Sequence, residues 1–224
     1  MRLEGRSLSF RYGDGPWLFR QVDIAIESGQ IVGLLGPSGS GKTTLGRLLA
    51  GYEQPLTGFV RAGDTPYPIA GYHPVQMVFQ HPELAVNPRW KIGRILDESW
   101  SARAAPLPDS GGAPADKDAD AWQLDVILRA LGVEKAWMNR RPAELSGGEL
   151  QRVCIARALA PGTRFLIADE MTAMLDAISQ AQIWRAVLRI ASARRLGLLV
   201  ISHDRHLLSK LCDRIYEWPA MSVV

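Results

Sequence analysis

Cysteine is scarce in this chain: its 224 residues include two, Cys154 and Cys212, in no CxxC or Cys/His spacing. That leaves no zinc-ligand pattern, and two unclustered thiols suit a reducing compartment. Cys154 stands in an apolar run of helical period and reads as a buried thiol. Long apolar runs are missing too. None approaches the roughly 18 residues a membrane span needs, and the opening Met1–Arg6 has no apolar signal core, so a soluble chain is expected, with any membrane role reached through a partner. Charge of one sign is also lacking. Against 26 basic residues stand 23 acidic ones, and the longest basic clusters are the pairs Arg140–Arg141 and Arg194–Arg195. A nucleic-acid binder concentrates basic residues in a patch, so that class is set aside. No internal repeat is seen. What is present is 47% hydrophobic residues, enough for one sizeable core with a smaller lobe attached.

Arg2–Phe10 and Val22–Ile26 read as strands, the second with Val22, Ile24 and Ile26 alternating against Asp23 and Ala25; Gly13–Pro16 is a turn between them. The pattern then changes. Gln30–Leu35 is a short apolar run ending in a Gly-rich loop, followed by a helical segment, Thr44–Ala50, with Leu45, Leu48 and Leu49 on one face. Two later runs, Phe165–Ala168 and Leu198–Ile201, are uniformly apolar, as in a parallel sheet covered on both faces. They end at Asp169-Glu170 and Ser202-His203-Asp204, and open α/β sheets place ligands at such carboxyl ends. Between these pieces Ile92–Ser101 and Ala121–Leu131 look helical, and the Pro-, Gly-, Ala- and Asp-rich tract 101–120 reads as a flexible connector.

Gly36-Pro37-Ser38-Gly39-Ser40-Gly41-Lys42-Thr43, with Thr44 next, fits GxxxxGK[ST] between a strand and a helix. Glycines let backbone N–H groups curl around phosphate oxygens, and the helix offers its positive end to the same anion. Lys42 would reach the β- and γ-phosphates, and Thr43 would ligate Mg²⁺. At the end of the Phe165–Ala168 strand, Asp169 suits the Mg²⁺ shell, and Glu170 could accept a proton from attacking water. Ser146-Gly147-Gly148, ahead of an apolar, Arg-bearing helix, supplies a second set of open amides at a helix start. One nucleotide does not explain two such ends; the second makes sense if it serves another molecule's nucleotide.

With these motifs in place the chain resembles the nucleotide-binding subunits of ABC transporters, from about Leu3 to Tyr216. The ordered set is Tyr12, the phosphate loop, Gln80 in Val78-Phe79-Gln80, Leu145-Ser146-Gly147-Gly148-Glu149, Asp169-Glu170, Leu175-Asp176 and His203. The resemblance implies an α/β fold: a P-loop NTPase core with a mainly parallel sheet, an N-terminal antiparallel β-subdomain and a helical signature-motif subdomain. The whole chain, 1–224, would be one nucleotide-binding domain, with residues 1–81 and 159–224 as the core and about 82–158 as the helical part. It implies ATP and Mg²⁺ as cofactors, the metal held by Thr43, Gln80 and Asp169. It further implies that Tyr12 stacks on adenine, Gln80 senses Mg²⁺ and the attacking water, Glu170 is the general base and His203 contacts the γ-phosphate. Asp176 would cross a dimer interface, and Ser146 and Gly148 would bind the γ-phosphate held by the opposing subunit. The implied partners are a second ATPase subunit, alike or different, integral permease subunits and, indirectly, an extracytoplasmic substrate-binding protein. The implied location is the cytoplasmic face of the cell membrane, as a peripheral subunit.

Phe79–Arg89, as FQxPxxxxNPR, resembles the importers of di- and oligopeptides, nickel and metallophores, and Leu145–Cys154 and Leu175–Trp184 look most like the nickel and metallophore members. Three positions depart from the family pattern: Glu149 where many relatives have Gln, Met171 where Pro is usual, and a sequence ending at Trp218–Val224 soon after His203, which would leave out any dimer contact made by a longer tail. A soluble ABC ATPase of translation or DNA repair would be expected to carry tandem cassettes, coiled coils or zinc inserts. A non-catalytic regulator would be expected to lack Glu170 or His203.

Overall fold

A computed structural model describes residues 1–63, 72–101 and 124–218. The tract 101–120 therefore lies outside the described residues but for Ser101, as do the first three positions of the expected helix Ala121–Leu131 and the terminal residues after Trp218.

Two sheets share one hydrophobic core. The first is antiparallel, in the order β2-β1-β4, from Arg2–Phe10 (β1), Phe19–Glu27 (β2) and Thr57–Ala62 (β4). The second is wholly parallel, in the order β5-β6-β7-β3-β8, from Ile31–Leu35 (β3), Val75–Val78 (β5), Phe165–Asp169 (β6), Gly197–Ser202 (β7) and Arg214–Glu217 (β8). Both sheets and the helices agree with the fold class expected from the sequence.

The apolar character of β6 and β7 follows from their position. Side chains alternate between faces of a strand, and here both faces are covered. Phe165, Ile167, Leu199 and Ile201 join β1, β2 and helix α1 (Lys42–Leu49) in one core cluster. Leu166, Ala168, Leu198 and Val200 join a second cluster built with helices α2 (Ile92–Trp100), α3 (Leu124–Leu131), α4 (Gly147–Ala158) and α5 (Ala177–Arg194). Helix α6 (Arg205–Leu211) adds Leu208 to the same cluster. In α1, Leu45, Leu48 and Leu49 form the buried face their spacing predicts. Between β5 and β6 the described residues form helices and short 3₁₀ turns, and no strand.

Register decides what meets at the top of the parallel sheet. Leu34 of β3 and Asp169 of β6 both pair with Ile201 of β7, and Leu35 pairs with Ser202. The residues that follow, Gly36, Glu170 and His203, therefore emerge side by side from adjacent strands.

Candidate functional site

The loop from Gly36 to Gly41 leaves β3 and enters α1. Gly41 sits at φ 97°, a conformation that L side chains rarely adopt, and makes the turn into the helix without a side-chain cap. Trp218 lies under the loop: its backbone N–H donates to the Leu35 carbonyl (2.6 Å) and its indole N–H to that of Ser40. Its ring also meets Phe19 edge-on at 5.4 Å. The Lys42 ammonium donates to the carbonyls of Gly36 (2.8 Å) and Pro37 (2.6 Å). It therefore spans the loop where phosphate oxygens would lie. Burial pulls its pKa down, against the opposing pull of Glu170 and Asp169. Tyr12 is half exposed, its hydroxyl 3.3 Å from the Thr44 hydroxyl and its ring edge-on to Phe10 at 4.9 Å.

Asp169 is buried at the end of β6. Burial raises its pKa, and a hydrogen bond from the Thr43 side chain works the other way. A carboxylate desolvated beside a hydroxyl is a hard-oxygen pair suited to a small divalent cation, so these two residues fit Mg²⁺. Gln80 is exposed and lines a cavity of about 500 Å³ with Thr43, Arg47, Tyr52, Arg157 and Asp169 among others.

Glu170 has φ 47°, a left-handed conformation that costs a non-glycine residue about 1 kcal/mol or more. Its own N–H is held by the Ile201 carbonyl at 3.0 Å. That turn swings its carboxylate onto β7. There Oε1 accepts from the His203 backbone N–H (3.0 Å) and lies 2.7 Å from His203 Nδ1, while Oε2 accepts from Ser202 at 3.4 Å. Beyond Glu170, Met171 is buried in the helical-side core. Next to it the Thr172 hydroxyl accepts from Gln180 Nε2 (2.8 Å) and Trp184 Nε1 (3.0 Å). The Met at this departure leaves the loop to Asp176 anchored by its neighbours.

The Ser146–Glu149 segment opens α4. Ser146 Oγ accepts from the Glu149 N–H at 3.3 Å, and Glu149 Oε2 accepts from the Ser146 N–H at 2.7 Å. This reciprocal capping box gives the Glu at that departure a role of its own. It uses the amides of Ser146 and Glu149 and leaves those of Gly147 and Gly148. A Cβ on Gly147 would meet nothing within 4 Å, while one on Gly148 would lie 2.9 Å from Leu175 Cδ2. Asp176 caps α5, accepting from the N–H groups of Ile178 (3.0 Å) and Ser179 (2.9 Å), and those bonds lower its pKa.

The structure thus brings together the 36–44 loop, Asp169, Glu170, His203 and, along one cavity, Gln80. Among the described residues no hydrogen bond links Ser146, Gly147 or Gly148 to the phosphate loop, and the near neighbour of Gly148 is Leu175. Sequence reasoning missed Trp218 as the support of the loop and Arg47 and Arg157 as walls of the cavity. A tryptophan after the last motif carries no pattern to find it by. Arg157 is positioned by long-range contacts, to the Ala85 carbonyl (2.9 Å) and Glu98 (3.2 Å).

Comparison with known proteins places this arrangement. The family profile described as ABC transporter matches residues 19–173. A nickel import ATP-binding protein, NikE, of Rhodospirillum rubrum is 38% identical over 206 residues, which are 87% of this chain and 70% of that protein. The NikE protein of Escherichia coli K12 is 35% identical over 205 residues, 88% of this chain and 73% of its own. Among solved structures, a dimeric ATP-binding cassette in a post-hydrolysis state with ADP and Pi has a TM-score of 0.74 at 23% identity, covering 96% of this chain and 93% of its own. An ABC transporter ATP-binding protein of Pyrococcus furiosus has the same TM-score at 24% identity, with both chains covered in full. Likeness at those identities speaks to fold.

Proposed function

The chain belongs to the ABC transporter family and is an ATPase, and on that premise we propose that it energises an importer whose cargo is nickel, free or as a metallophore. The carrying observation is the meeting of Glu170 with His203 beside the Lys42 loop and the Thr43–Asp169 pair. Small peptides are the second cargo reading, since the Phe79–Arg89 pattern resembles peptide importers as well as nickel and metallophore importers. The names of the NikE relatives, together with Leu145–Cys154 and Leu175–Trp184, favour nickel.

Lys42 would exchange the carbonyls of Gly36 and Pro37 for phosphate oxygens, a charge-assisted contact stronger than the neutral acceptors it leaves. Amides of residues 36–44 would complete the cradle, and Tyr12, exposed at its mouth, would stack on adenine. Thr43, Asp169 and Gln80 would hold Mg²⁺, which when bound neutralises charge on the terminal phosphates. Glu170 would release His203 and take a proton on Oε1 from the attacking water; His203, 62% exposed at its side chain, would turn to the γ-phosphate.

The site is half complete in one chain. Among the described residues Ser146, Gly147 and Gly148 make no hydrogen bond to the chain's own phosphate loop, which supports their serving the nucleotide of an opposing subunit, with Asp176 at that interface. Exposed Met174 and Ile178 beside Asp176 supply apolar area for such a contact. Residues 82–158 would form the lobe that presents the Ser146 segment. The groove along Gln80 and His81, with Leu84 82% exposed on its wall, would receive a permease helix at the cytoplasmic face of the membrane. Among the described residues no helix is long and apolar enough to cross a membrane itself.

The test is assembly. In a Glu170→Gln background, ATP should drive the chain into a dimer on size-exclusion chromatography. Adding Ser146→Arg should block that dimer and leave ATP binding to the monomer unchanged. Dimerisation of the double variant, or loss of its ATP binding, would remove the assignment across the interface.

A further inference from the structure

A second concave, strongly charged feature lies away from the nucleotide site. Arg129 of α3, Arg152 of α4 and both Arg185 and Arg189 of α5 line a groove of about 360 Å³, together with Gln182 and Gly132. Among the described residues, no carboxylate lines it. Several arginines elsewhere have acidic or carbonyl partners: Arg2, Arg6 and Arg61 surround Glu4, Arg205 meets Glu217, and Arg194 is spent on four backbone carbonyls. Among the described residues, the side chains of Arg129, Arg185 and Arg189 make no hydrogen bond or ion pair. Arg185 and Arg189 are one helical turn apart, a like-charge spacing that works against the helix unless an anion offsets it.

The groove is also shaped. Arg152 Nη1 donates to the Leu131 carbonyl at 2.7 Å, which fixes its guanidinium at the rim of α3. Gly132, at φ 68°, leaves room for it; a Cβ there would come within 3.3 Å of Nη1. Three helices thus converge four planar donor forks on one small space, and guanidinium forks match the oxygens of phosphate in pairs.

We propose that this groove is a second anion site, taking a compact phosphate-bearing anion such as a diphosphate, distinct from the nucleotide loop. The chemistry is shared by a free diphosphate and by a phospholipid headgroup, and the experiment separates the two. Calorimetry on the full chain, with the phosphate loop filled by ADP in magnesium-free buffer, would follow titration with inorganic pyrophosphate. In parallel, the chain would be sedimented with phosphatidylglycerol vesicles and with phosphatidylcholine vesicles. The expected result is one pyrophosphate per chain, weakened at least tenfold in Arg185→Gln/Arg189→Gln and likewise in Arg129→Gln. Arg195→Gln, which removes one charge outside the groove as Arg129→Gln does within it, should bind as the native chain does, and basal ATPase should be unchanged in all of them. Binding to phosphatidylglycerol alone, lost in the same variants, would assign the groove to a headgroup. No binding of either probe, binding that survives in both groove variants, or equal loss in Arg195→Gln would overturn the proposal.

Discussion

At the scale of single residues, strain and desolvation mark the chemistry. Glu170 is one of four non-glycine residues with positive φ among those described, and that turn sets its carboxylate against His203 rather than along β6. An amide has the shape of the carboxylate and cannot take a proton. Glu170→Gln should therefore keep nucleotide affinity and lower steady-state phosphate release by about 10²–10⁴-fold, the range for general-base assistance. Near-normal turnover would take Glu170 out of the base role. Asp176 answers to pH instead. Because the amides of Ile178 and Ser179 hold its pKa below the ordinary value, its contribution to folding is present above that ordinary value and is lost as pH falls through the depressed one. Asparagine also caps helices and does not titrate. Asp176→Asn should match the native melting temperature near neutrality and show a shallower decline in acid, read by calorimetric scans across pH. An unchanged acid limb would mean the cap carries none of the pH dependence.

Between elements, the phosphate loop depends on β8. A Cβ on Gly36 would come within 2.9 Å of both Trp218 Cβ and the Trp218 carbonyl oxygen, and backbone atoms yield little. Gly36→Ala should push the loop off its support. Nucleotide affinity should fall by at least about tenfold, or 1.4 kcal/mol, with circular dichroism unchanged. Titration with a fluorescent ATP analogue reads this, and unaltered affinity would show that the loop does not rest on Trp218. Helix α4 shows the opposite arrangement, one element tied at several points. Gln151 Nε2 donates to the Phe79 carbonyl (3.1 Å) and Arg157 to that of Ala85 (2.9 Å). The helix that begins at Ser146 is thereby bonded to the segment that carries Gln80, a physical route between the expected dimer contact and the expected permease groove.

For the whole molecule, the question is what the chain binds without partners. Among the described residues no group of three or more His, Cys, Asp or Glu could hold a metal ion. His203 is engaged by Glu170, and burial pushes both cysteine thiols up to about 12, where they are poor ligands. Calorimetric titration of the isolated chain with Ni²⁺ should show no stoichiometric micromolar site. Finding one would point to a sensor on this subunit rather than to cargo recognition by the permease and binding protein.

The order of motifs, the uniformly apolar strands and the leucine face of α1 could all be read in one dimension. A strand covered on both sides must be apolar throughout, and a phosphate loop needs its glycines and lysine consecutively. Those local demands determined the fold class and the family. They reached less far where contacts are long-range. Strands β4, β5 and β8 are short or partly exposed, so no clean alternation announces them. Three facts belong to tertiary structure alone: the register that sets Gly36, Glu170 and His203 side by side, the tryptophan beneath the loop, and the four arginines gathered from three helices. Each depends on residues far apart in the chain, and only packing brings them together.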